Sequence, residues 1–381
     1  MKQHIYLDHA ATSPMHPDVV TSMLPYMTEV FGNPSSIHYY GRKSRHAVDE
    51  ARQMIADTIH AKPNEIIFTS GGTEADNLAI IGTAYKMQEK GKHIITSAIE
   101  HHAVLHTCEH LEKQGFTVTY LPVNEDGQVS VQDVEAALTS ETILVTIMFG
   151  NNEVGALQPI NEIGELLQDH QAVFHTDAVQ AYGLVDIDVN QYKIDLLSVS
   201  AHKINGPKGT GFLFMREDKK IFPLLFGGEQ EKKRRAGTEN VAGIVGLQAA
   251  AKLAKQTMEE KNELYQDFKQ TFVSILKEQN ITFEVNGDLS KSLPHVLNIY
   301  FPGTNVESML VNLDLAGIAA SSGSACTAGS IDPSHVLVAM FGQDSDKITS
   351  SIRFSFGLGN TIDEIKTAAL ETAKIVTRLT K

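Results

Sequence analysis

Tryptophan is absent from the 381 residues, and cysteine nearly so, with only Cys108 and Cys326. Two thiols could form one bridge, but nothing else marks an exported chain stapled by disulfides, and they read better as free thiols in a reducing compartment. No apolar run approaches the ~20 residues that a bilayer-spanning helix needs. The first residues, MKQHIYLDHAATSP, lack the apolar stretch of a signal peptide, so the expected location is cytoplasmic. Excess positive charge is lacking too. Against 46 Asp and Glu stand 32 Lys and Arg, a net charge of −14. That argues against a general binder of nucleic acid or membrane surfaces, although KKRR at 232–235 is a local basic patch. Neither G-x-G-x-x-G nor a Walker loop is present, which weakens a dinucleotide-dependent dehydrogenase. With no H-E-x-x-H and no Cys/His cluster, a metal site is not expected. There is no internal repeat and no low-complexity tract.

What is present alternates. Nearly continuous apolar runs occur at 65–70, 93–97, 117–123, 142–148, 172–179, 195–203 and 209–215, with helical patterns between several of them. Strands of that kind are covered on both faces, so the pattern predicts a mainly parallel seven-stranded sheet with helices on both sides. Only a short turn separates the last two runs, which predicts an antiparallel pair. The long helical stretch after about residue 240 must break or bend. Beyond it lie VLNIYFPG, a helix near NVESMLVNLDLA, the small-residue run AASSGSACTAGS, the strand SIRFSFG and a final helix. This predicts an α/β protein with a large domain over 16–255 and a smaller α+β domain made of 1–15 and 256–381.

Four segments could carry chemistry, each at a predicted strand end. TSGGTEADN (69–77) opens a helix with glycines and Thr73, a cradle for phosphate; the plainer reading is a turn with Thr73 as helix cap. HTDAVQA (175–181) offers Asp177 and Gln180, and IEHHAVL (99–105) offers a flat imidazole. SVSAHKINGPKG (198–209) drives Lys203 into a tight turn beside Ser200 and His202, and a desolvated lysine there becomes a nucleophilic amine. Together, a phosphate cradle, a carboxylate, a flat histidine and a Schiff-base lysine are the parts that pyridoxal 5′-phosphate requires. Cys326 lies among small polar residues, where a loop can carry a thiol to and from a reaction. Cys108, in a probable helix, reads as a buried hydrophobe.

At ten places, in order, the chain resembles the cysteine desulfurases of the NifS/IscS type, within class V of the fold-type-I pyridoxal-phosphate enzymes. The segments are YLDHAATSP, FGNPSSIH, TSGGTEADN, IEHHAVL, NNEVG, HTDAVQ, SAHKINGPKG, RRAGTEN, SSGSACTAGS and SSIRFSFG. The resemblance implies that Lys203 holds the cofactor and that Asp177 partners its ring nitrogen. Gln180 and Asn152 lie near the ring hydroxyl, and Asn152 also faces substrate. His101 stacks on the ring and moves protons. Gly72, Thr73, Ser200 and His202 hold the phosphate, joined by Thr238 from the other subunit of a homodimer. Arg353 clamps the substrate carboxylate, and Cys326 is the catalytic cysteine. The implied reaction turns L-cysteine into L-alanine and leaves sulfur as a persulfide on Cys326. The sulfur then passes to acceptor proteins, an iron–sulfur scaffold or a tRNA-thiolating enzyme. No direct contact with nucleic acid or membrane is expected. Another class V enzyme, a selenocysteine lyase or an aminotransferase, would share the cofactor site without needing Cys326. Two departures stand out. Phe149 replaces a common histidine and is expected to alter the cofactor surroundings. Lys232 and Lys233 replace a common Arg-Gly and are expected to alter the dimer or acceptor surface.

Overall fold

The computed structural model describes residues 4–323 and 333–381. Strand β1 (Ile5–Tyr6) leads to α1 (Pro17–Thr28) and α2 (Tyr39–Thr58). Pro17 occupies the first turn of α1, where its missing N–H costs nothing. Strands and helices then alternate: β2 (Ile66–Thr69), α3 (Gly72–Met87), β3 (His93–Ser97), α4 (His102–Lys113), β4 (Thr117–Leu121), α5 (Val131–Ala137), β5 (Thr142–Thr146), α6 (Ile160–Leu167) and β6 (Val173–Asp177). Next come β7 (Leu196–Ser200) and β8 (Gly211–Met215), with a single 3-10 turn at Ala201–Lys203 between them.

These strands form one seven-stranded sheet in the order β2-β8-β7-β6-β5-β3-β4. Strand β8 runs antiparallel to both of its neighbours, and the other pairs are parallel. Every residue of β3, β5, β6, β7 and β8 is buried, which is why those runs are apolar without alternation. The edge strand β4 is the exception, and it carries Thr and Tyr at its half-exposed positions. The strands stop short of the apolar runs. Val179 donates its N–H to the Asp177 side chain, so β6 ends there, and β7 gives way to the turn holding Lys203.

The predicted long helix is two. α7 (Val241–Gln256) and α8 (Met258–Glu278) meet at Thr257, whose N–H closes the first on Leu253. The chain continues through β9 (Glu284–Val285), β10 (Val296–Tyr300), α9 (Val306–Ala316), β11 (Ile318–Ala319), α10 (His335–Phe341), β12 (Ser351–Ser355) and α11 (Ile362–Leu379). Strands β12, β10 and β9 make a second, antiparallel sheet. Its core is aromatic, with Phe272 and Phe354 ring centres 4.6 Å apart. The N-terminal β1 joins this part, pairing in parallel with β11. That pairing carries Asp8 and Ala10 from the smaller sheet to the end of the larger one.

Candidate active site

A cavity of about 870 Å³ opens where the C-terminal ends of the parallel strands meet the N-terminal segment and the smaller sheet. Ligands gather at such strand ends in open α/β sheets. At one side, β2 ends at Thr69 and the chain enters α3 through Gly71, whose φ of +152° suits glycine. Gly71 is the helix cap, and it offers no side chain to the first turn. Thr73 is therefore not the cap; it lies one position inside the helix and is exposed. The first amides of α3 stay open to an anion at the positive end of the helix. A Cβ on Gly72 would stand 2.8 Å from Cγ2 of Val179, so only a bare backbone fits. Ser200 closes β7 beside this turn, and His202 Nδ1 lies 3.1 Å from the Thr12 hydroxyl.

Across the cavity floor, Asp177 ends β6. One carboxylate oxygen accepts the Val179 N–H at 2.8 Å. Burial raises its pKa to about 6, opposed by that bond and by the Lys203 charge, so it is ionised at neutral pH. Lys203 sits in the turn after β7, and its Nζ donates to the carbonyls of Ala10 and Ala11 at 2.5 and 2.8 Å. Burial first, then the Arg353 charge, lowers its pKa to about 8, with Asp8 and Asp177 pulling the other way. His101 caps α4, its Nδ1 accepting the Ala103 N–H at 3.1 Å. Burial and neighbouring cations lower its pKa to about 4, so the ring is neutral with its proton on Nε2. The ring nevertheless stays accessible through the cavity.

Arg353, in β12, is held flat. One guanidinium nitrogen bonds Asp8 at 2.8 Å and another the Asn152 carbonyl at 2.9 Å. Asn152 and Gln180 also line the cavity. Cys326 lies outside the described residues, but Ser321 and Gly323 before it and His335 after it line the same cavity. Thr238 is exposed and does not line it. Cys108 is buried in α4, where burial pushes its thiol pKa up. Phe149 is buried in the core against Tyr192, outside the cavity wall, so its expected effect on the cofactor surroundings is not direct.

Three acids escaped the sequence reading. Asp8 lay within a quoted segment but was given no role. Asp76, on α3, lines the cavity, and burial and the neighbouring Asp177 both push its pKa up. Glu100, beside His101, accepts Ser97 Oγ at 2.6 Å and the Met148 N–H at 2.9 Å, fastening the histidine turn to the end of β5. Asp8 and Glu100 stand just past apolar strands, while Asp76 lies inside α3, and beyond their charge they gave no signal. Among the described residues no cluster of His, Cys, Asp and Glu could hold a metal ion.

The donors suit pyridoxal phosphate: a bare helix start for phosphate, an ionised buried carboxylate for a protonated ring nitrogen, and a lysine of lowered pKa for an aldehyde. The family model for class-V aminotransferases matches residues 5–367. A putative cysteine desulfurase IscS 1 of Bacillus subtilis is 65% identical over 99% of this chain and 100% of its own length. A cysteine desulfurase IscS of Methanosarcina thermophila is 51% identical over 98% of this chain and 92% of its own. A solved NifS-like protein superposes with TM-score 0.92 at 32% identity, covering 99% of this chain and 100% of that one. The structure titled SspA in complex with cysteine gives 0.80 at 39% identity, covering 92% and 98%.

Proposed function

The chain belongs to the class-V aminotransferase family, and from that premise we propose that it is a pyridoxal 5′-phosphate-dependent cysteine desulfurase, converting L-cysteine to L-alanine and retaining the sulfur. One observation carries the reading: Lys203, Asp177, Arg353 and the uncapped start of α3 share one cavity with both flanks of the Cys326 segment. Pyridoxal phosphate, when bound, supplies an aldehyde and an electron-withdrawing ring. Gly72, Thr73, Ser200 and His202 would hold its phosphate, Asp177 its ring nitrogen, and Gln180 and Asn152 its ring oxygen.

With a pKa near 8, Lys203 keeps a useful neutral fraction at neutral pH, fit to bond an aldehyde and, once freed, to carry a proton. His101, neutral and capping α4, would lie against the cofactor ring and share that proton work. Arg353, oriented by Asp8 and the Asn152 carbonyl, receives the substrate carboxylate with a planar fork. The Cys326 thiolate attacks the substrate sulfur. An S–S bond forms as the C–S bond breaks, and the carbon keeps the electron pair and is protonated to the methyl of alanine. The persulfide then serves an acceptor protein, an iron–sulfur scaffold or a tRNA-thiolating enzyme. The enzyme acts in the cytoplasm as a homodimer in which Thr238 reaches the partner's phosphate site. No described helix is long and apolar enough to cross a membrane.

The test compares Cys326→Ser with Cys108→Ser on L-cysteine. Serine is almost wholly protonated at neutral pH, while a thiol of pKa about 8.5 gives a few per cent thiolate. Cys326→Ser should bind cysteine, shift the cofactor spectrum, form no protein persulfide and release almost no alanine. Cys108→Ser should match the parent. Alanine release by Cys326→Ser at the parent rate would move the reading to a lyase or another class V activity.

A further inference from the structure

Gln180 is gripped on two sides, and the grip settles which way its amide points. Its Nε2 donates to the Ala10 carbonyl at 3.0 Å. A carbonyl only accepts, so the amide nitrogen must face Ala10 and Oε1 must face the other way. There it meets Nε2 of His295 at 3.0 Å. An amide oxygen also only accepts, so His295 must carry its proton on Nε2. One Gln180 N–H is then spent on Ala10, and one remains on a side chain that lines the cavity.

His295 is built into a fixed place. It is 6% exposed and immediately precedes β10. Its carbonyl accepts the Phe356 N–H at 2.9 Å, and two residues earlier the Leu293 N–H donates to Gly155 at 2.8 Å. Buried Lys269 of α8 fastens the same segment, its Nζ donating to Ser292 Oγ at 2.9 Å and the Leu293 carbonyl at 2.7 Å. An imidazolium at this spot would be stripped of water and would face the cations Lys269, Lys203 and Arg353, so the ring is neutral. Its Nδ1 is buried and has no hydrogen-bond partner among the described residues. The reversed amide would set Gln180 Oε1 against the Ala10 oxygen and an N–H against an N–H of His295. With His295 in its Nε2–H form both contacts would be repulsive together; moving the proton to Nδ1 would relieve only the second, and the clash with Ala10 would remain.

We propose that His295 is a positioning residue for Gln180: its Nε2–H locks the amide with nitrogen toward the cavity, so that the remaining N–H donates to the anionic ring oxygen of the bound cofactor. The proposal rests on the reading of the cavity as a pyridoxal phosphate site. His295 touches neither cofactor nor substrate and acts through Gln180 alone. A donor held on the anionic form favours that form, so losing it moves the titration of the ring oxygen upward.

The holoenzyme, His295→Leu and His295→Gln are titrated by the visible absorbance of the bound cofactor. His295→Leu removes the donor at similar bulk and should raise the midpoint by about 0.5–1 pH unit, the scale of one lost hydrogen bond. His295→Gln restores an N–H and should return the midpoint most of the way. In parallel, 15N NMR of the unmodified holoenzyme should show a neutral His295 with its proton on Nε2, a readout that does not depend on the variants folding. A His295→Leu midpoint equal to that of the parent, or a His295 proton found on Nδ1 alone, would overturn the role of His295 while leaving the cofactor reading standing. Failure of the unmodified protein to bind pyridoxal phosphate would overturn that reading and this inference with it.

Discussion

Asn151 and Asn152 are neighbours of the same type, and the fold spends them differently. Asn151 is buried, accepts the N–H groups of Glu153 and Val154, and donates to the Ile99 carbonyl, so its side chain is consumed by the turn. Asn152 lines the cavity and lends its carbonyl to Arg353. The two lysines with the lowest pKa values divide in the same way. Lys269 is fastened to a Ser hydroxyl and a backbone carbonyl in the interior, while Lys203 opens onto the cavity. Burial lowers both, Lys269 to about 7 and Lys203 to about 8, so a low pKa alone does not pick the nucleophile. Access does. Borohydride reduction of the holoenzyme should therefore fix the cofactor on the Lys203 peptide and leave Lys269 unmodified. Lys203→Ala should fold, lose the covalent link and lose turnover. The sign of the pH dependence follows from the neutral amine being the reactive form: covalent capture of the aldehyde should rise with pH and level off above about 8, where an ordinary lysine of pKa about 10.4 would still be climbing. Capture on Lys269, or a rise continuing past pH 10, would remove Lys203 from its role.

Strands and turns hand these residues to the cavity. Four of the groups sit at or just past the last residue of a strand: Asp177 on β6, Ser200 on β7, Lys203 in the following turn and Gly72 after β2; Arg353 comes from the middle of β12. The strands were legible because burial on both faces makes their residues continuously apolar. Their ends were not, since the apolar run continues while the pairing stops. Ile147 still donates to the His175 carbonyl, but the next amide, Met148, turns to Glu100. The plainer reading of Thr73, as the cap of α3, fails for a related reason. Threonine favours the cap position in general, yet here the backbone needs the conformation that Gly71 supplies and leaves its amides free. A test at this scale is Gly72→Ala. The added methyl meets stiff Val179 at 2.8 Å, and overpacking of that kind costs about 1–3 kcal/mol. Equilibrium dialysis should show pyridoxal phosphate held about five-fold more weakly or worse, the lower end of that range. Val179→Ala in the same protein should recover most of the loss. Unchanged affinity in Gly72→Ala would mean that the phosphate does not approach this turn.

The whole molecule closes the site from three directions. Strand β1 crosses to pair with β11, Asp8 pairs with Arg353 of β12, and Ala10 accepts from Lys203 and Gln180 of the large sheet. One copy still leaves a predicted contributor outside, for Thr238 is exposed away from the cavity. The same copy exposes apolar groups on α1 and in the segment that leads to α2, with Met27 at 66%, Phe31 at 71% and Ile37 at 91%. Rings pack within that patch, Phe31 against Tyr40 at 5.3 Å. Exposed apolar clusters of this kind mark association surfaces. Light scattering should give a dimer at working concentration. Thr238→Ala should weaken cofactor retention by about 0.5–1.5 kcal/mol, one hydrogen bond's worth, without dissociating the dimer. A monomer that keeps full activity on dilution would overturn this part of the reading.

The residue order by itself determined the α/β class, the seven strands, the antiparallel last pair and the break after α7, and it pointed to candidate chemical groups. Those follow from local rules: apolar periodicity, turn chemistry, and polar residues placed at strand ends. Tertiary structure decided which of two like residues works and which only packs, as with Asn151 and Asn152 or Lys269 and Lys203. It also decided that Phe149 lies in the core, that Asp8 holds Arg353, and that His295 holds Gln180. The last two are contacts between segments more than a hundred residues apart, and the contacts of Asn151, Lys269 and Phe149 join segments tens of residues apart. Local sequence does not encode distances of that kind; they arise only when β1, the large sheet and β10–β12 close on one another.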